Sequence, residues 1–174
     1  MTVRNATIAD LPQILELYQT VARVSGGIAR NVHEITTAYI GHFLERSSHN
    51  GCSIVAETNG QIMAEVHTYS AGIECLKHTF GDTTICVHPD FQGQGLGKLV
   101  FSTLLKHVQE VRTDILRVEL HARASNPKAI ELYKKLGFKI EGLAEGRVLD
   151  PDGSIVADVP MGWLNPHFSK SKQP

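Results

Sequence analysis

Three glycines, Gly93, Gly95 and Gly97, stand within Val87-His88-Pro89-Asp90-Phe91-Gln92-Gly93-Gln94-Gly95-Leu96-Gly97-Lys98, where a β-branched segment gives way to a helical one. Glycines at such a junction leave backbone amides uncovered. The helix N-terminus adds about half a positive charge, so the turn suits a diphosphate. Residues that are missing narrow the choice. Lys98 is followed by Leu99 and not by the Ser or Thr that would hold magnesium in a P-loop. The spacing is Gly-x-Gly-x-Gly, which is not the dinucleotide fingerprint. A glycine triplet also serves helix packing, and for the triplet alone the two readings stand level.

Downstream, Asn126 and Tyr133 are seven positions apart on an expected helix, which puts them on one face roughly 10 Å apart along the axis. That spacing suits an extended ligand, although Asn126 also reads as an N-cap and Tyr133 as a core aromatic. Asp82 and His121 carry side chains that can accept a proton. Glu119 shares a strand face with His121, and Glu65, His67 and His78 are potential neighbours. Each also reads as a solvated or hydrogen-bonded polar residue. His88 is read as shaping the turn. Cys86, in a strand, is read as a small buried hydrophobe and not a nucleophile.

The elements that must position these groups follow from periodicity and punctuation. Val3 to Ala6 is a short strand. Thr7 and Asp10 form a capping box before Leu11, Ile14, Leu15, Tyr18 and Val21 at helical spacing. Ser25 to Arg30 is a loop, after which Asn31 and Glu34 cap a helix bearing Ile35, Tyr39 and Phe43. Asn59-Gly60 joins the strands Ser53 to Thr58 and Gln61 to Tyr69 as a hairpin. Thr83 to Val87 and Arg117 to Ala122 form a parallel pair joined right-handedly by the helix Gly95 to Val111. Asn126-Pro127 opens a helix that runs to Leu136 and stops at Gly137. Phe138 to Glu141 and Ile155 to Trp163 close the sheet, linked across the turn Asp150-Pro151-Asp152-Gly153. Residues 1–168 are expected to form one α/β domain with a mixed, mostly antiparallel sheet and helices on both faces. Residues 169–174 form a polar tail.

Composition bounds what such a domain does. The 174 residues carry 17 basic and 18 acidic side chains, a formal charge of -1, so no global positive field draws nucleic acid or an anionic membrane. The three cysteines lack Cys-x-x-Cys spacing, against both a disulfide framework and a zinc site, and no metal is expected. No signal-like or membrane-length apolar run occurs, so the expected location is the cytoplasm.

On these residues the sequence resembles the GNAT superfamily of N-acetyltransferases. Gln92, Gly95 and Gly97 match its coenzyme A motif of Arg or Gln, two residues, Gly, one residue, and Gly or Ala. Asn126, Tyr133, Gly137 and Phe138 match its second signature. The resemblance implies acetyl-CoA as co-substrate. The backbone of Ile85, Cys86 and Val87 would pair with the pantetheine arm, and the amides of Gln92, Gly93, Gln94, Gly95, Leu96, Gly97 and Lys98 would hold the pyrophosphate. An amide near Val87 would meet the developing oxyanion. Asn126 would bond the arm, and Tyr133 would pass its proton to the departing thiolate. Asp82 stands where many relatives carry an acid, and His121 where some protein-modifying relatives carry glutamate; either is open as the general base. The C-terminal pattern, with Asp158 and Met161, resembles members acting on L-amino acids and ribosomal proteins. The expected acceptor is therefore a small primary amine such as an amino acid, in a groove set by residues 24–31 and 70–81. A protein N-terminus and a non-catalytic acyl-CoA-binding domain are the alternatives. Homodimers are common among relatives.

Overall fold

The computed structural model describes residues 1–24, 27–150 and 152–169. Eight strands form one mixed sheet: β1 (Thr2–Asn5), β2 (Gly51–Thr58), β3 (Gln61–Tyr69), β4 (Thr79–Val87), β5 (Arg117–Arg123), β6 (Lys139–Ile140), β7 (Ala144–Leu149) and β8 (Ile155–Leu164). Their order is β1-β2-β3-β4-β5-β8-β6, with β7 also on β8. Every pairing is antiparallel except β4 with β5. Four helices cover it: α1 (Leu11–Ala22), α2 (Thr37–Asn50), α3 (Leu96–Glu110) and α4 (Pro127–Lys135).

Alternation along the strands sorts side chains into two cores. Ile54, Ala56, Ala64 and Val66 pack with Val100, Phe101 and Leu104 of α3 and Tyr133 of α4. Val55, Ile62 and Cys86 pack on the opposite side with Ile14, Tyr18, Ile40 and Phe43 of α1 and α2. Removing a side chain such as Phe101 or Ile14 wholly from water contributes roughly 1.5–3 kcal/mol.

The hairpin is as the sequence predicts, with Asn59 at φ 53 and Gly60 at φ 76 between β2 and β3. The Thr7–Asp10 box is present, but it opens a single 3-10 turn before α1 starts at Leu11. Arg4 clamps Asp10 at 2.7 Å and Glu57 at 2.8 Å, tying β1 to this turn. Asn31 and Glu34 likewise cap only the short turn Val32–Glu34. Ile35 is extended, and α2 starts after Thr36, whose hydroxyl accepts from the Tyr39 amide. A strand is missing from the prediction: β7, not the segment Phe138 to Glu141, meets β8 across the turn at Asp150 and Gly153. Its mostly exposed residues give weak alternation, and Gly146 interrupts them. The expected loop positions Ser25 and Gly26, the turn residue Pro151 and the tail 170–174 lie outside the described residues.

The parallel pair also differs from expectation. Strand β4 starts at Thr79, and its register with β5 is confined to Thr79 opposite Arg117 and Phe80 opposite Val118. The predicted Thr83 to Val87 pairing does not form: past Phe80 the two strands separate.

Candidate functional site

A bulge causes the separation. Tyr69 pairs with Gly81 and His67 with Thr84, so Asp82 and Thr83 together face Thr68. Asp82 takes the left-handed φ of 48, which aspartate tolerates better than most side chains. Thr68 fastens the bulge: its hydroxyl donates to the Gly81 carbonyl at 3.0 Å and lies 2.8 Å from the Thr83 hydroxyl. The extra residue bends β4 away from β5. Asp82 therefore sits inside β4 at its bend, and not before the strand as the sequence reading has it.

The bend leaves an edge of β4 unpaired. Alternate residues of a strand send their N–H and C=O groups to opposite sides. The His88 amide donates to Met63 of β3 at 2.8 Å, so Ile85 and Val87 direct theirs into the gap. Consistently, the Val87 carbonyl accepts from the Gln92 side chain at 3.1 Å.

Between the strands lies a cavity of about 430 Å³, walled by Asp82, Thr83, Thr84 and Ile85 on one side and residues 119–123 on the other. Asn126 and Tyr133 line it from α4, and Gly27–Arg30 with Tyr39 from the α1–α2 side. The structure thus brings Asp82, Ile85, His121, Asn126 and Tyr133 together. Asn126 also caps α4, its Oδ1 accepting from the Ala129 amide at 3.1 Å. Tyr133 is held edge-on to Phe101 at 5.7 Å, and burial pushes its phenol up to about 12. Among the described residues its hydroxyl makes no hydrogen bond, and it is not sealed from the cavity.

His121 is anchored from across the sheet. Its Nδ1 donates to Oδ2 of buried Asp158 at 2.8 Å, and Arg147 Nε holds the same carboxylate at 3.3 Å. With Nδ1–H given to Asp158, the neutral ring's lone pair is on Nε2. Glu119, expected beside His121, is instead engaged by Arg117 at 2.9 Å. Arg147 and the partnership of Asp158 with His121 escaped sequence reasoning because they depend on β7 and on the register of β8 against β5.

Four other candidates lie away from the cavity. Glu65 and His67 are sealed in the α1–α2 core, where Glu65 accepts from Tyr18 at 2.5 Å and Ser53 at 2.6 Å. The His78 carbonyl accepts from the Leu116 amide at 2.9 Å, and its side chain is not in the wall. The Cys86 side chain faces the α1–α2 core, where burial pushes its thiol up.

The glycine turn lies outside the cavity walls, at the mouth of α3. The first helical amide with a partner is Leu99, bonded to the Gly95 carbonyl at 3.0 Å. From Gly93 to Lys98 the amides have no partner among the described residues. Gly93 and Gly95 take φ of 75 and 83 with open space beside them, whereas a Cβ on Gly97 would meet Val87 and Ile85 of β4 at 3.4–3.5 Å. Two glycines shape the turn, and the third seats the helix on the strand. Among the described residues no group of three His, Cys, Asp or Glu side chains converges on a metal position, and no helix is long and apolar enough to cross a membrane.

Comparison with known proteins places the fold among acetyltransferases. The L-amino acid N-acyltransferase MnaT of Escherichia coli is 25% identical over 157 residues, covering 86% of this chain and 90% of that one. The N-acetyltransferase ycf52 of Gracilaria tenuistipitata var. liui is 38% identical over 69 residues, 40% of this chain. The matched region spans only 30% of that relative's length. The fold superposes on a phosphinothricin acetyltransferase of Sinorhizobium meliloti solved with AcCoA, with a TM-score of 0.83 at 20% identity, covering 99% of this chain and 92% of that one. The model of the acetyltransferase (GNAT) family matches residues 12–138, a span holding the splayed strands, the glycine turn and Tyr133, and the chain belongs to that family.

Proposed function

We propose that the protein is an N-acetyltransferase that moves the acetyl group of acetyl-CoA to the primary amine of a small molecule such as an amino acid. The carrying observation is the open edge of β4, which leaves the Ile85 and Val87 peptide groups without a partner strand, beside a cavity walled by Ile85, His121 and Tyr133. The chain's groups fit the co-substrate. Unpaired amides from Gly93 to Lys98 suit a pyrophosphate at a helix N-terminus. The β4 edge suits an amide-bearing arm that adds as a strand does, and Asn126 lines the same cavity. Acetyl-CoA supplies an acyl thioester, activated toward amines.

The side chains divide the remaining work. His121 takes the proton of the attacking amine on Nε2, because an imidazole is a stronger base than a carboxylate and Asp158 fixes its tautomer. Asp82, on the facing wall, attracts the acceptor's ammonium, which gives one proton to solvent to become the free amine; the second proton, lost as the C–N bond forms, is the one that His121 takes. The Val87 amide donates to the carbonyl oxygen as negative charge builds there, a contribution of about 3 kcal/mol for one such donor elsewhere. Tyr133 meets the departing sulfur. With its phenol at about 12 against an ordinary thiol near 8.5, complete proton transfer is uphill by roughly 5 kcal/mol. Its hydroxyl therefore stabilises the thiolate by donating a hydrogen bond.

A thiol-release assay with acetyl-CoA and a panel of amino acids, amines and peptides tests this reading. Release above background is expected with small amines. Binding of acetyl-CoA with no release for any acceptor would instead favour a domain that only binds the coenzyme.

A further inference from the structure

The charged side chains on the cavity wall are nearly all spoken for by neighbours. Arg123 is held by Asp150 at 2.7 Å, Arg147 by Asp158 at 3.3 Å, and Glu119 by Arg117 at 2.9 Å. Among the described residues two wall groups have no ion-pair partner: the Arg30 guanidinium and the Asp82 carboxylate. Glu34 accepts from the Asn31 amide at 2.7 Å, which lowers its carboxyl with a smaller contribution from the Arg30 charge, and it forms no ion pair with Arg30 among the described residues.

Arg30 is also seated. Its Cζ lies 4.2 Å from the centroid of the Tyr39 ring, which is itself fixed edge-on to Phe43 at 5.6 Å and Tyr18 at 6.3 Å. Stacking covers one side of the guanidinium, and one N–H also approaches the Tyr39 hydroxyl; the remaining N–H groups of the edge suit capture of a carboxylate.

We infer that Arg30 is the acceptor-specificity residue: it binds the α-carboxylate of a free amino acid whose ammonium group lies toward Asp82. This rests on the acetyl-transfer reading and deepens it. One uncompensated cation and one uncompensated anion on the wall of one cavity complement a zwitterion. A neutral amine would leave the Arg30 charge unmatched, and a peptide N-terminus would bring an amide where the carboxylate belongs. Lysine at position 30 keeps the charge but loses the planar fork and the stacking, so it substitutes poorly.

The test compares each free amino acid with its own carboxamide in the thiol-release assay, for the native chain, Arg30→Gln and Arg30→Lys. Native protein is expected to prefer the acid over the amide by roughly 10- to 100-fold in kcat/KM, the effect of one charge-assisted contact. In Arg30→Gln that ratio should fall to near unity through a higher KM for the acid, with Arg30→Lys in between. A native ratio near unity, or a ratio that survives Arg30→Gln, overturns the assignment while leaving acetyl transfer standing. If no acceptor releases thiol, the transfer reading fails. Titration calorimetry of the same acid and amide into native and Arg30→Gln protein then decides separately. Heat for the acid that is absent for the amide and lost in the variant supports the carboxylate site; any other pattern overturns it.

Discussion

The chain writes the same tripeptide pattern, Glu-x-His, on two strands of one sheet: Glu65-Val66-His67 on β3 and Glu119-Leu120-His121 on β5. On β3 the pair closes on itself, His67 Nδ1 standing 3.1 Å from Glu65, with both side chains out of water and the His67 ring stacked on Phe43 at 3.8 Å. On β5 the two part company: Glu119 turns to Arg117, and His121 takes Asp158 from β8. What differs is the neighbouring strand. β3 is paired on both edges and covered by α1 and α2, so its polar row is satisfied internally and serves the fold. β5 loses β4 after Phe80, so its polar row borders open space, and the base we propose, His121, lines the cavity there. Burial without access makes a histidine structural; a carboxylate behind it and a cavity before it make one chemical.

The contrast breaks most sharply at His121. His121→Asn keeps a donor near the Nδ1 position for Asp158 but removes the nitrogen that takes the proton. Turnover is expected to fall about 10²- to 10⁴-fold, while urea midpoints move by less than about 1 kcal/mol in stability, since the side chain is half exposed. Loss of stability in proportion to activity would place His121 with His67 as part of the framework.

The converse substitution is Glu65→Leu. It strands the Tyr18 hydroxyl, the Ser53 hydroxyl and His67 in the α1–α2 core, and a broken buried polar set of this kind costs about 3–5 kcal/mol. Chemical denaturation should show that loss, and kcat per folded molecule at low temperature should stay near the native value. A selective fall in kcat would mean that the β3 cluster communicates with the cavity.

The sequence makes the helical and turn chemistry legible and leaves the register hidden. Gly93 and Gly95, Asn126 before Pro127, and Asn59-Gly60 announce their conformations because the cause is local: a required φ, a cap, a two-residue turn. Asp82, His121 and Tyr133 were readable as candidates, and the cavity unites them. The two Glu-x-His segments are indistinguishable to any local rule, because their fates are set by which strand lies alongside. The same holds for Arg147, which meets Asp158 only through the pairing of β7 with β8, and for Arg30, whose seat on Tyr39 depends on how the segment before α2 folds back. The bulge at Asp82 was also unannounced, since nothing in Gly81-Asp82-Thr83 forces a left-handed residue until Thr68 fastens it.

The smallest expected effect sharpens the comparison from the cavity side, at a group that is both packed in a core and part of the cavity wall. Tyr133 is packed in the α3–α4 core but keeps 8% exposure against 0% for Tyr18 in the other, and it lines the cavity. Tyr133→Phe should lower kcat by roughly tenfold, the loss of about one hydrogen bond to a charged group, with acetyl-CoA affinity nearly unchanged. It also leaves a thermodynamic signature free of kinetics. In the folded chain the phenol is raised to about 12 by burial, against about 10 when unfolded, so its contribution to stability is fully present below pH 10 and is lost as pH rises through 12. Between pH 9 and pH 11 the unfolded chain ionises first, and native protein should lose about 1.4 kcal/mol more than Tyr133→Phe. Tyr18 and Tyr69 remain in both chains, so their own raised phenols cancel in the difference. Equal alkaline slopes for the two proteins would mean that the Tyr133 hydroxyl is solvated in the cavity, and complete proton transfer to sulfur would then be nearly balanced.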